Sequence, residues 1–411
     1  MDEPKKHIAV FIYALTGGGA QRRTLTLAEG FAERGHRVDM VVVRQDALLT
    51  DELSPAVKMV ALDRGWGRLL PLVCRWIGQR GIQTVASTFA LARYLRSERP
   101  DVMMSAASHV NLVSVVARRL ARTPVPLVLR ASNHPSGNSK LWPAVERPVR
   151  LFLKWVASRV YPWADGVIAV SEGVAREVAD LTALPEDRIT TIYNPMLTPE
   201  LQRKTRTQVD HPWLAAAAPP VVLGAGKLKV QKDFRTLIRA FARVRGERPA
   251  RLVILGDGGQ RASLEALARK LGVADDVAFV GHVDNPLAWM NSASVFALSS
   301  AWEGLPGVLI EAMACGCPVV STDCPSGPAE ILDGGTYGPL VPVADDRALA
   351  QAIVSVLDDP TDSETLRERV TMFSVAPAID RYLEVLLGQA RSAEQRPVSQ
   401  LMRPTAAGAA Q

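Results

Sequence analysis

Short runs of consecutive apolar residues alternate along this chain with longer segments in which apolar residues recur every three or four positions. The first run, residues 8–13, leads through a glycine turn into residues 20–34, which have helical spacing. Continuous apolar runs are typical of strands buried on both faces of a parallel sheet, and the amphipathic segments are typical of covering helices. The pattern therefore predicts an α/β fold with a parallel sheet.

The alternation starts again after residue 210, so the sequence predicts a second α/β unit of similar size. A length of 411 residues also favours two domains over one. The last residues are polar and rich in alanine, which is typical of disorder. The predicted parts are an N-terminal domain at residues 1–197, a linker at 198–218, a C-terminal domain at 219–370, a C-terminal helix at 371–390 that returns to the N-terminal domain, and a disordered tail at 391–411.

Composition narrows the class of protein. Apolar residues make up 48% of the chain and charged residues 22%, which excludes a fibrous or wholly disordered protein. There is no run of about 18 apolar residues, so no transmembrane helix is predicted, and residues 1–13 lack the flanks of a signal peptide. We expect a cytoplasmic protein with reduced, buried cysteines, because Cys315, Cys317 and Cys324 form no CxxC pair or Cys/His ligand set.

Positive charge is concentrated in one part of the chain. Residues 51–160 hold 17 Lys and Arg against 6 Asp and Glu, a net charge of +11, whereas the whole chain carries +6. Such a field favours an anionic partner: a phosphate, an acidic lipid surface or a nucleic acid. The alternative is a solvated basic face. No nucleic-acid-binding motif accompanies the charge, so no nucleic acid is expected.

Glu303 and Glu311 lie eight positions apart in the second half of the chain. Pro306 and Gly307 are typical of a loop that ends at a helix start, so the first carboxylate is predicted on a loop and the second on a helix. Carboxylates can accept hydrogen bonds from the hydroxyl groups of a ribose or a sugar ring. The alternative is two unrelated surface charges. Apolar neighbours on both sides of Glu311 favour instead a buried carboxylate with a partner.

This spacing resembles the E-x7-E element that marks family 4 glycosyltransferases, and further resemblance is concentrated in residues 220–350. The resemblance implies the GT-B fold, in which two Rossmann-like doubly wound domains face a central cleft. The N-terminal domain would bind the acceptor and the C-terminal domain the nucleotide-sugar donor. It also implies that Glu303 faces the donor sugar, that Glu311 holds the ribose, and that Gly304 and Leu305 lie in the same donor site.

A second block, residues 224–234, joins a predicted strand to a helix and resembles the family's G-R-L-x-x-x-K-G element. The resemblance assigns the donor diphosphate to Lys227 and Lys232, with Lys229 as a competing candidate for the first position. Lysine keeps the positive charge of the family's arginine but cannot form its bidentate hydrogen bonds. Asp233 replaces the family's usual glycine and can cap the following helix.

Two glycine turns extend the resemblance. Gly18 and Gly19, after the first strand, resemble the family's donor-phosphate loop, where backbone amides at a helix N-terminus approach an anion. Gln21 stands where many members have Glu. Gly256 and Gly258 flank an aspartate, as in the family's G-D-G turn. The alternative there is an ordinary turn between a strand and a helix.

Three residues of the N-terminal domain complete the candidate site. His109 follows a predicted strand, on a loop at the carboxyl edge of the sheet, where family members often carry a functional histidine. A purely structural histidine is the alternative. Arg130 closes the strand at residues 126–129 and Asn133 follows it, so both are candidates for binding the acceptor or a donor phosphate.

The resemblance also implies the reaction. A sugar moves with retention from a nucleoside-diphosphate donor, with a UDP-sugar favoured, to a glycan or polyprenyl-linked acceptor in surface polysaccharide or glycolipid synthesis. His109, Glu303 and Lys232 are the candidate catalytic residues. Lysines and helix N-termini can neutralise the leaving diphosphate, so no metal and no other cofactor are expected. The alternatives are a GT-B epimerase or hydrolase of nucleotide-sugars and a non-catalytic protein that binds a nucleotide-sugar or a glycan.

Residues 66–82 and residues 141–161 mix aromatic and basic side chains. In the second segment, apolar residues recur at helical spacing while Arg147, Arg150 and Lys154 share another face. Basic amphipathic helices with tryptophan suit an anionic membrane surface. The alternative is core-facing helices with solvated arginines. The first interpretation predicts a peripheral protein on the inner face of the cell membrane.

Overall fold

The structure is a computed structural model of the chain. The chain forms two compact units, the first comprising Met1–Pro195 with Val375–Gln411 and the second Met196–Ser374. The residues that the structure describes are 4–15, 17–44, 53–62, 74–106, 108–132, 151, 154–182, 184–205, 209–215 and 218–394.

The first unit is built on a seven-stranded parallel sheet. Its strands are β1 (His7–Ile12), β2 (Arg37–Val42), β3 (Val57–Ala61), β4 (Val102–Ser105), β5 (Leu127–Ala131), β6 (Gly166–Ala169) and β7 (Ile189–Thr191). They follow the order β3-β2-β1-β4-β5-β6-β7, so the strand order reverses between β1 and β4. This is the predicted doubly wound arrangement, and in such sheets ligands bind outside the carboxyl ends of the strands. Its helices before the second unit include α1 (Gly19–Glu33), α2 (Cys74–Glu98), α3 (Ser108–Ala121) and α4 (Glu172–Thr182). Residues 154–160 are helical as well.

The apolar residues of β1 fit its position in the interior of this sheet, between β2 and β4. All residues of β1 after His7 are buried, and Ile8 is aligned with Val38 on β2 and with Val102 on β4. On α1 the buried side chains include Leu27 and Phe31, which join the same apolar core. Full burial of a side chain of this size stabilises the fold by about 1.5–3 kcal/mol, so β1 and α1 fix the start of the unit.

The second unit repeats the design with six parallel strands. They are β8 (Val221–Ala225), β9 (Arg251–Leu255), β10 (Val277–Gly281), β11 (Val295–Leu298), β12 (Val319–Thr322) and β13 (Leu340–Val341). Their order is β10-β9-β8-β11-β12-β13, so β8 and β11 are neighbours although 69 residues lie between them. The helices of this unit are α5 (Pro199–Lys204), α6 (Phe234–Glu247), α7 (Arg261–Lys270), α8 (Pro286–Ser292), α9 (Gly307–Ala314), α10 (Pro328–Ile331), α11 (Asp346–Asp358) and α12 (Ser363–Val370).

The stretch predicted as a linker, residues 198–218, belongs to the second unit and contains α5. The side chain of Thr198 caps this helix by accepting a hydrogen bond from the backbone N–H of Leu201 at 3.1 Å. Pro199 stands at the first helical position, where it removes no hydrogen bond. The Leu201 side chain is buried. A cap, a proline and one buried apolar residue therefore order part of a stretch whose composition resembled a linker.

The chain returns to the first unit through α13 (Val375–Glu394). Both ends of this helix lie four residues later than the predicted bounds, so residues 391–394 are helical rather than part of the tail. The residues beyond 394 lie outside the described part. Ile379 and Tyr382 of α13 are fully buried in the core that contains α1. A Cβ added to Gly30 of α1 would lie 2.5 Å from Cδ1 of Ile379, so only glycine permits this close packing.

Two further expectations concern the whole chain. In the described part of the chain, no helix has the length and apolar character needed to cross a membrane. Cys315, Cys317 and Cys324 are free thiols and buried, as predicted. Burial is the main cause that raises the pKa of Cys315 and Cys324 to about 12, so both thiols remain protonated and unreactive at neutral pH.

A buried polar cluster lies at the start of the first sheet. Asp39 of β2 is fully buried, and its Oδ2 accepts a hydrogen bond from the Tyr94 hydroxyl at 2.8 Å and lies 3.0 Å from Nε2 of His7. Burial by itself would raise the pKa of Asp39. The close contact with His7, the hydrogen bond from Tyr94 and the charge of Lys58 outweigh burial, so the pKa lies below its usual value of 3.8.

We predict that this cluster contributes to stability above pH 3.8. Because the folded pKa of Asp39 lies below the unfolded value, its contribution is fully present above that value and is lost as the pH falls through the folded pKa. Asp39→Asn should lower the free energy of unfolding at pH 7 by about 1.5–3 kcal/mol, since hydrogen bonds to a charged acceptor are lost. Urea unfolding at pH 7 and pH 3 measures the effect. The exposed Asp358→Asn is the control, and an equal loss at both pH values would contradict the prediction.

Candidate functional site

Two loops of the second unit meet at one edge of its sheet. β8 continues into residues 226–233 and β11 into residues 299–306. Because β8 and β11 are parallel neighbours, both loops leave the sheet at its carboxyl edge. Polar side chains on such loops face the position where α/β sheets bind ligands. This edge holds both of the strongest sequence motifs.

An ion pair joins the two motifs. The Nζ of Lys232 lies 2.6 Å from Oε1 of Glu303, and the Ser300 hydroxyl donates a hydrogen bond to the same oxygen at 2.7 Å. Glu303 is on the loop, as predicted, and is only 7% exposed. A carboxylate this buried needs compensation, and Lys232 and Ser300 supply it. Sequence analysis did not identify Ser300, although a serine three positions before a loop carboxylate is within reach of such a bond.

Further hydrogen bonds fix the backbone around this pair. The Ser299 hydroxyl donates to the carbonyl of Lys232 at 2.8 Å, and the Thr322 hydroxyl donates to the carbonyl of Ser300 at 2.6 Å. Ser299, Ser300 and Thr322 are all buried. The site is therefore a rigid arrangement in which the carboxylate and the ammonium are held before any ligand arrives.

Asp233 begins the helix that follows Lys232. Its backbone is left-handed, with φ of 40°, which explains why glycine is usual there. Its side chain accepts hydrogen bonds from the Thr236 hydroxyl at 2.6 Å and from the Thr236 backbone N–H at 3.4 Å. Burial raises the pKa of Asp233, although the bonds from Thr236 oppose the rise. The predicted helix cap is confirmed, and it compensates for the strained backbone.

Lys227 and Lys229 lie on the same loop as Lys232, and both are exposed. The backbone between them turns tightly, with the N–H of Lys229 bonded to the carbonyl of Lys227 at 2.7 Å. Exposed ammonium groups at the carboxyl edge can meet an anionic ligand without breaking an existing ion pair. The geometry keeps both as candidates for the diphosphate.

The Gly256 and Gly258 turn supports the lysine loop through its backbone. The N–H of Leu228 donates to the carbonyl of Asp257 at 3.0 Å, and the N–H of Gly226 donates to the carbonyl of Leu255 at 2.9 Å. A Cβ at Gly258 would lie 2.6 Å from the carbonyl oxygen of Leu228, and one at Gly256 would collide with the carbonyl of Gly226. The turn therefore does more than connect a strand to a helix, because it holds the loop that carries the lysines.

Gly258 and Gly259 offer a matched pair of substitutions. Gly258→Ala should lower the free energy of unfolding by about 1–3 kcal/mol, because the added methyl group forces two backbone segments apart. Gly259→Ala should change it by less than about 0.5 kcal/mol, since a Cβ there meets nothing within 4 Å. Denaturant unfolding measures both, and hydrogen exchange at the Leu228 amide reports the displaced loop. Equal effects of the two changes would contradict this account.

Glu311 lies on α9, as predicted, but it is only partly buried, so the expected burial was wrong. The reason is the helical period: Gly307, Glu311 and Ala314 share a partly exposed stripe, whereas Leu309 and Ile310 point into the core. Partial exposure suits a carboxylate that must reach a ligand.

Gly304 and Leu305 are buried directly after Glu303. A Cβ at Gly327 would lie 3.1 Å from the carbonyl oxygen of Gly304 and 3.0 Å from the Cα of Leu305. This close backbone packing holds the loop that carries the carboxylate.

Four predicted site residues belong to the first unit besides Arg130. Gly18 and Gly19 lie at the start of α1, where the N–H of Gly18 donates to Oε1 of Gln21 at 2.6 Å and Gly19 is exposed. His109 lies in the first turn of α3 rather than on a loop, because α3 begins at Ser108. The His109 side chain and the whole of Asn133 lie outside the described part of the structure.

Arg130 is buried inside the first unit. Its side chain is 0% exposed and donates to the Tyr382 hydroxyl at 2.9 Å, to Oδ1 of Asn194 at 2.6 Å and to the carbonyl of Ala106 at 3.2 Å. A fully buried guanidinium presents no surface to an acceptor, so the structure gives Arg130 an internal role, and its acceptor role stays a prediction. Arg130 connects the end of β5 to α13 and to Asn194, the last residue but one of Met1–Pro195.

No metal centre accompanies these residues: within the described ranges, no three His, Cys, Asp or Glu side chains are grouped to hold a metal ion. The expectation of a reaction without metal stays a prediction.

Two family models match this chain, one mainly in each unit. A family model described as Glycosyltransferase Family 4 matches residues 17–196, and one described as Glycosyl transferases group 1 matches residues 219–359. The lipopolysaccharide core biosynthesis glycosyltransferase LpsE of Rhizobium meliloti is 29% identical over 381 residues, covering 90% of this chain and 96% of that protein. A Campylobacter jejuni N-acetylgalactosaminyltransferase acting on a diphospho-undecaprenol substrate, by its name, is 31% identical over 206 residues, covering 50% of this chain and 54% of that protein.

Solved structures agree on the fold. Sucrose-phosphate synthase from Thermosynechococcus elongatus superposes with a TM-score of 0.77 at 24% identity, covering 94% of this chain and all of that chain. Anabaena HepE in complex with UDP and glucose superposes with a TM-score of 0.70 at 21% identity, covering 93% of this chain and all of that one. Fold and sequence together define a glycosyltransferase of the GT-B class. The chain belongs to glycosyltransferase family 4.

Proposed function

We propose that this glycosyltransferase transfers a sugar from a UDP-sugar to a glycan or lipid-linked acceptor in surface polysaccharide or glycolipid synthesis. The observation that carries the proposal is the ion pair between the partly buried Lys232 and the buried Glu303 at the carboxyl edge of the second sheet. The names of the relatives from Rhizobium and Campylobacter support lipopolysaccharide or undecaprenol-linked acceptors. The UDP complex of HepE supports the choice of base.

In the proposed reaction, charge develops on the leaving diphosphate as the bond to the sugar breaks. Lys232 and Lys227 would neutralise that charge, and the backbone amides of Gly18 and Gly19 at the start of α1 would help to stabilise it. The family resemblance supports transfer with retention on one face of the sugar. The leaving phosphate then accepts the proton of the acceptor hydroxyl, and no metal ion takes part. His109 is proposed to contact the sugar at the reacting face.

Two carboxylates would orient the donor. Glu303 accepts hydrogen bonds from hydroxyl groups of the sugar, and Glu311 accepts them from the ribose. The partial exposure of Glu311 on α9 supports its role, since a ligand can reach it. Orientation of this kind lowers the barrier because the reacting atoms are held in place before the reaction starts.

A thermal-shift screen against UDP, GDP, ADP and their sugars tests the donor site. UDP at 100 times its Kd should stabilise the protein by about 2.7 kcal/mol. Wild-type protein should bind UDP more tightly than 2′-deoxy-UDP, and Glu311→Ala should remove that preference because the ribose hydroxyl loses its acceptor. Absence of a shift with every nucleotide at millimolar concentration, in folded protein, would contradict the proposal.

We also propose that the first unit binds an anionic membrane surface. Leu151 and Trp155, one helical turn apart, are 59% and 54% exposed, and the guanidinium of Arg159 lies 4.7 Å from the Trp155 ring centroid. Lys154 beside them is exposed as well. A second exposed apolar line on α3 comprises Leu112, Val116 and Leu120. Exposed apolar side chains next to cations suit the interface of an acidic bilayer. The segment at residues 66–82 has no described side chains.

Co-sedimentation with vesicles containing acidic lipid tests this surface. Leu151→Ser combined with Trp155→Ser should reduce the bound fraction, and higher salt should reduce it further because the cations are screened. Met372→Ser, which removes an exposed apolar side chain of the second unit, is the control. If wild-type protein stays in the supernatant at low salt, the membrane proposal fails while the donor proposal stands.

A further inference from the structure

Gln231 connects the two loops of the candidate site. Its carbonyl accepts a hydrogen bond from the N–H of Ala301 at 2.8 Å. Its side-chain Nε2 donates to the carbonyl of Trp302 at 3.1 Å and lies 3.4 Å from Oε2 of Glu303. Three bonds from one residue therefore reach three consecutive residues of the opposite loop, ending at the candidate catalytic carboxylate.

The two oxygens of Glu303 have different partners. Oε1 pairs with the ammonium of Lys232 and accepts a hydrogen bond from Ser300, whereas Oε2 accepts one from Gln231. Lys232 has two roles that compete, because it neutralises Glu303 in this structure and is proposed to neutralise the donor diphosphate. A diphosphate carries more negative charge than one carboxylate, so donor binding should draw the ammonium away from Oε1. Of its partners among the described residues, Glu303 would then keep Ser300 and Gln231.

We propose that Gln231 is a positioning residue that keeps Glu303 aimed at the donor sugar once the diphosphate has engaged Lys232. This inference rests on the proposed donor site. A neutral amide suits the task, because it donates to a carboxylate without competing for the diphosphate as a lysine would. The bond to the Trp302 carbonyl fixes the backbone, and the bond to Oε2 fixes the carboxylate. Gln231 itself touches neither donor nor acceptor in this scheme.

UDP affinity and the rate of turnover should depend on Gln231 to different degrees. Lys227 and Lys232 would hold the nucleotide diphosphate, so UDP affinity should be nearly independent of Gln231. Sugar orientation depends on Glu303, so the rate of sugar transfer or donor hydrolysis should depend on it strongly. A residue that merely stabilised the loop would change UDP affinity, thermal stability and turnover together.

The experiment compares Gln231→Ala and Gln231→Glu with wild type, using the nucleotide-sugar identified by the thermal-shift screen. Release of UDP without acceptor gives kcat, and calorimetry gives the Kd for UDP. Gln231→Ala should lower kcat by about 10- to 100-fold, as expected for a misplaced catalytic group, with the Kd for UDP changed less than about threefold. Gln351→Ala, an exposed glutamine on α11, is the control.

Gln231→Glu adds a readout that a structural role would not produce. It keeps the shape of glutamine but, when ionised, it loses the donor and repels Glu303. Its activity relative to wild type should rise as the pH is lowered from about 8 to about 5, because the introduced carboxyl group regains a proton that it can donate.

The outcomes separate the two proposals. If wild-type protein binds no nucleotide, the proposed function fails and this inference fails with it. If wild type binds UDP and releases it from the donor, but Gln231→Ala has unchanged kcat, the inference alone is overturned. A parallel loss of UDP affinity and turnover in both variants, with no pH-dependent recovery in Gln231→Glu, would overturn it as well.

Discussion

Replacing Lys232 with alanine should lower kcat/KM for the nucleotide-sugar by about 100- to 1,000-fold, the effect of removing one group that stabilises developing charge. The ammonium lies 2.6 Å from Glu303 and is the cation held closest to the candidate catalytic carboxylate among the described residues. Its loss removes the charge that stabilises the leaving diphosphate. It also leaves the mostly buried carboxylate of Glu303 with neutral donors alone in the part of the chain that the structure describes. We expect kcat to fall more than UDP affinity, because the charge on the leaving group grows in the transition state.

Steady-state kinetics and UDP titration of the same preparations measure the two effects. Lys232→Arg should retain part of the activity, since it keeps the charge but changes its shape and reach. Lys270→Ala removes an exposed lysine at the end of α7 and should behave as wild type. A kcat/KM for Lys232→Ala within about threefold of wild type would assign the diphosphate to other groups, with Lys227 and Lys229 the next to test, and would contradict the role given to the ion pair.

The pattern of apolar residues predicted the central strands of both sheets because these strands are buried on two faces. The strands that it did not identify are β3, β7 and β13, and each lies at an edge of its sheet. Their side chains are mostly only partly buried, and β7 and β13 are only 3 and 2 residues long, so each gives a weaker apolar signal than an interior strand. What the pattern detects is burial, and most edge strands have too little of it. The edge strand β10 is an exception, because its residues 277–280 are all apolar. The doubly wound arrangement was implied by the resemblance to a known fold, and the strand order within each sheet came from the structure.

Some residues of the candidate site could likewise be predicted from the sequence, and others could not. Motif spacing located Glu303, Glu311 and Lys232, because the local chain around each carries a signature. Their partners could not be predicted, since the Lys232–Glu303 contact spans 71 positions and requires β8 and β11 to be neighbours. Gln231 lies in the motif but has no distinguishing type or spacing. The role proposed for it rests on contacts with the opposite loop, which only the structure shows.

Arg130 and Glu311 show the limit of arguments from residue type. An arginine at the carboxyl end of a strand suggested a ligand, yet the fold buries it among neutral partners. A glutamate between apolar residues suggested burial, yet the helical period leaves it partly exposed. In both cases the position on the element was right. The direction of the side chain was set by packing that one sequence does not reveal.

The Arg130 substitution should have the largest effect on stability of those considered. The guanidinium is fully buried, and no carboxylate of the described residues forms an ion pair with it, so its charge is compensated by three neutral acceptors. Arg130→Ala leaves a cavity and three polar groups without their donor. We expect the free energy of unfolding to fall by about 3–5 kcal/mol, the sum of the cavity and the unmet hydrogen bonds.

Two comparisons separate this internal role from an acceptor site. Arg130→Met fills most of the volume and should cost less than alanine. A double-mutant cycle of Arg130→Met with Tyr382→Phe should give a coupling energy above about 0.5 kcal/mol, because both changes remove the same contact. Hydrogen exchange should rise in β5 and α13, the elements that this side chain connects. An Arg130→Ala protein as stable as wild type but inactive would restore the acceptor role, because the side chain would then act on a ligand rather than on the fold.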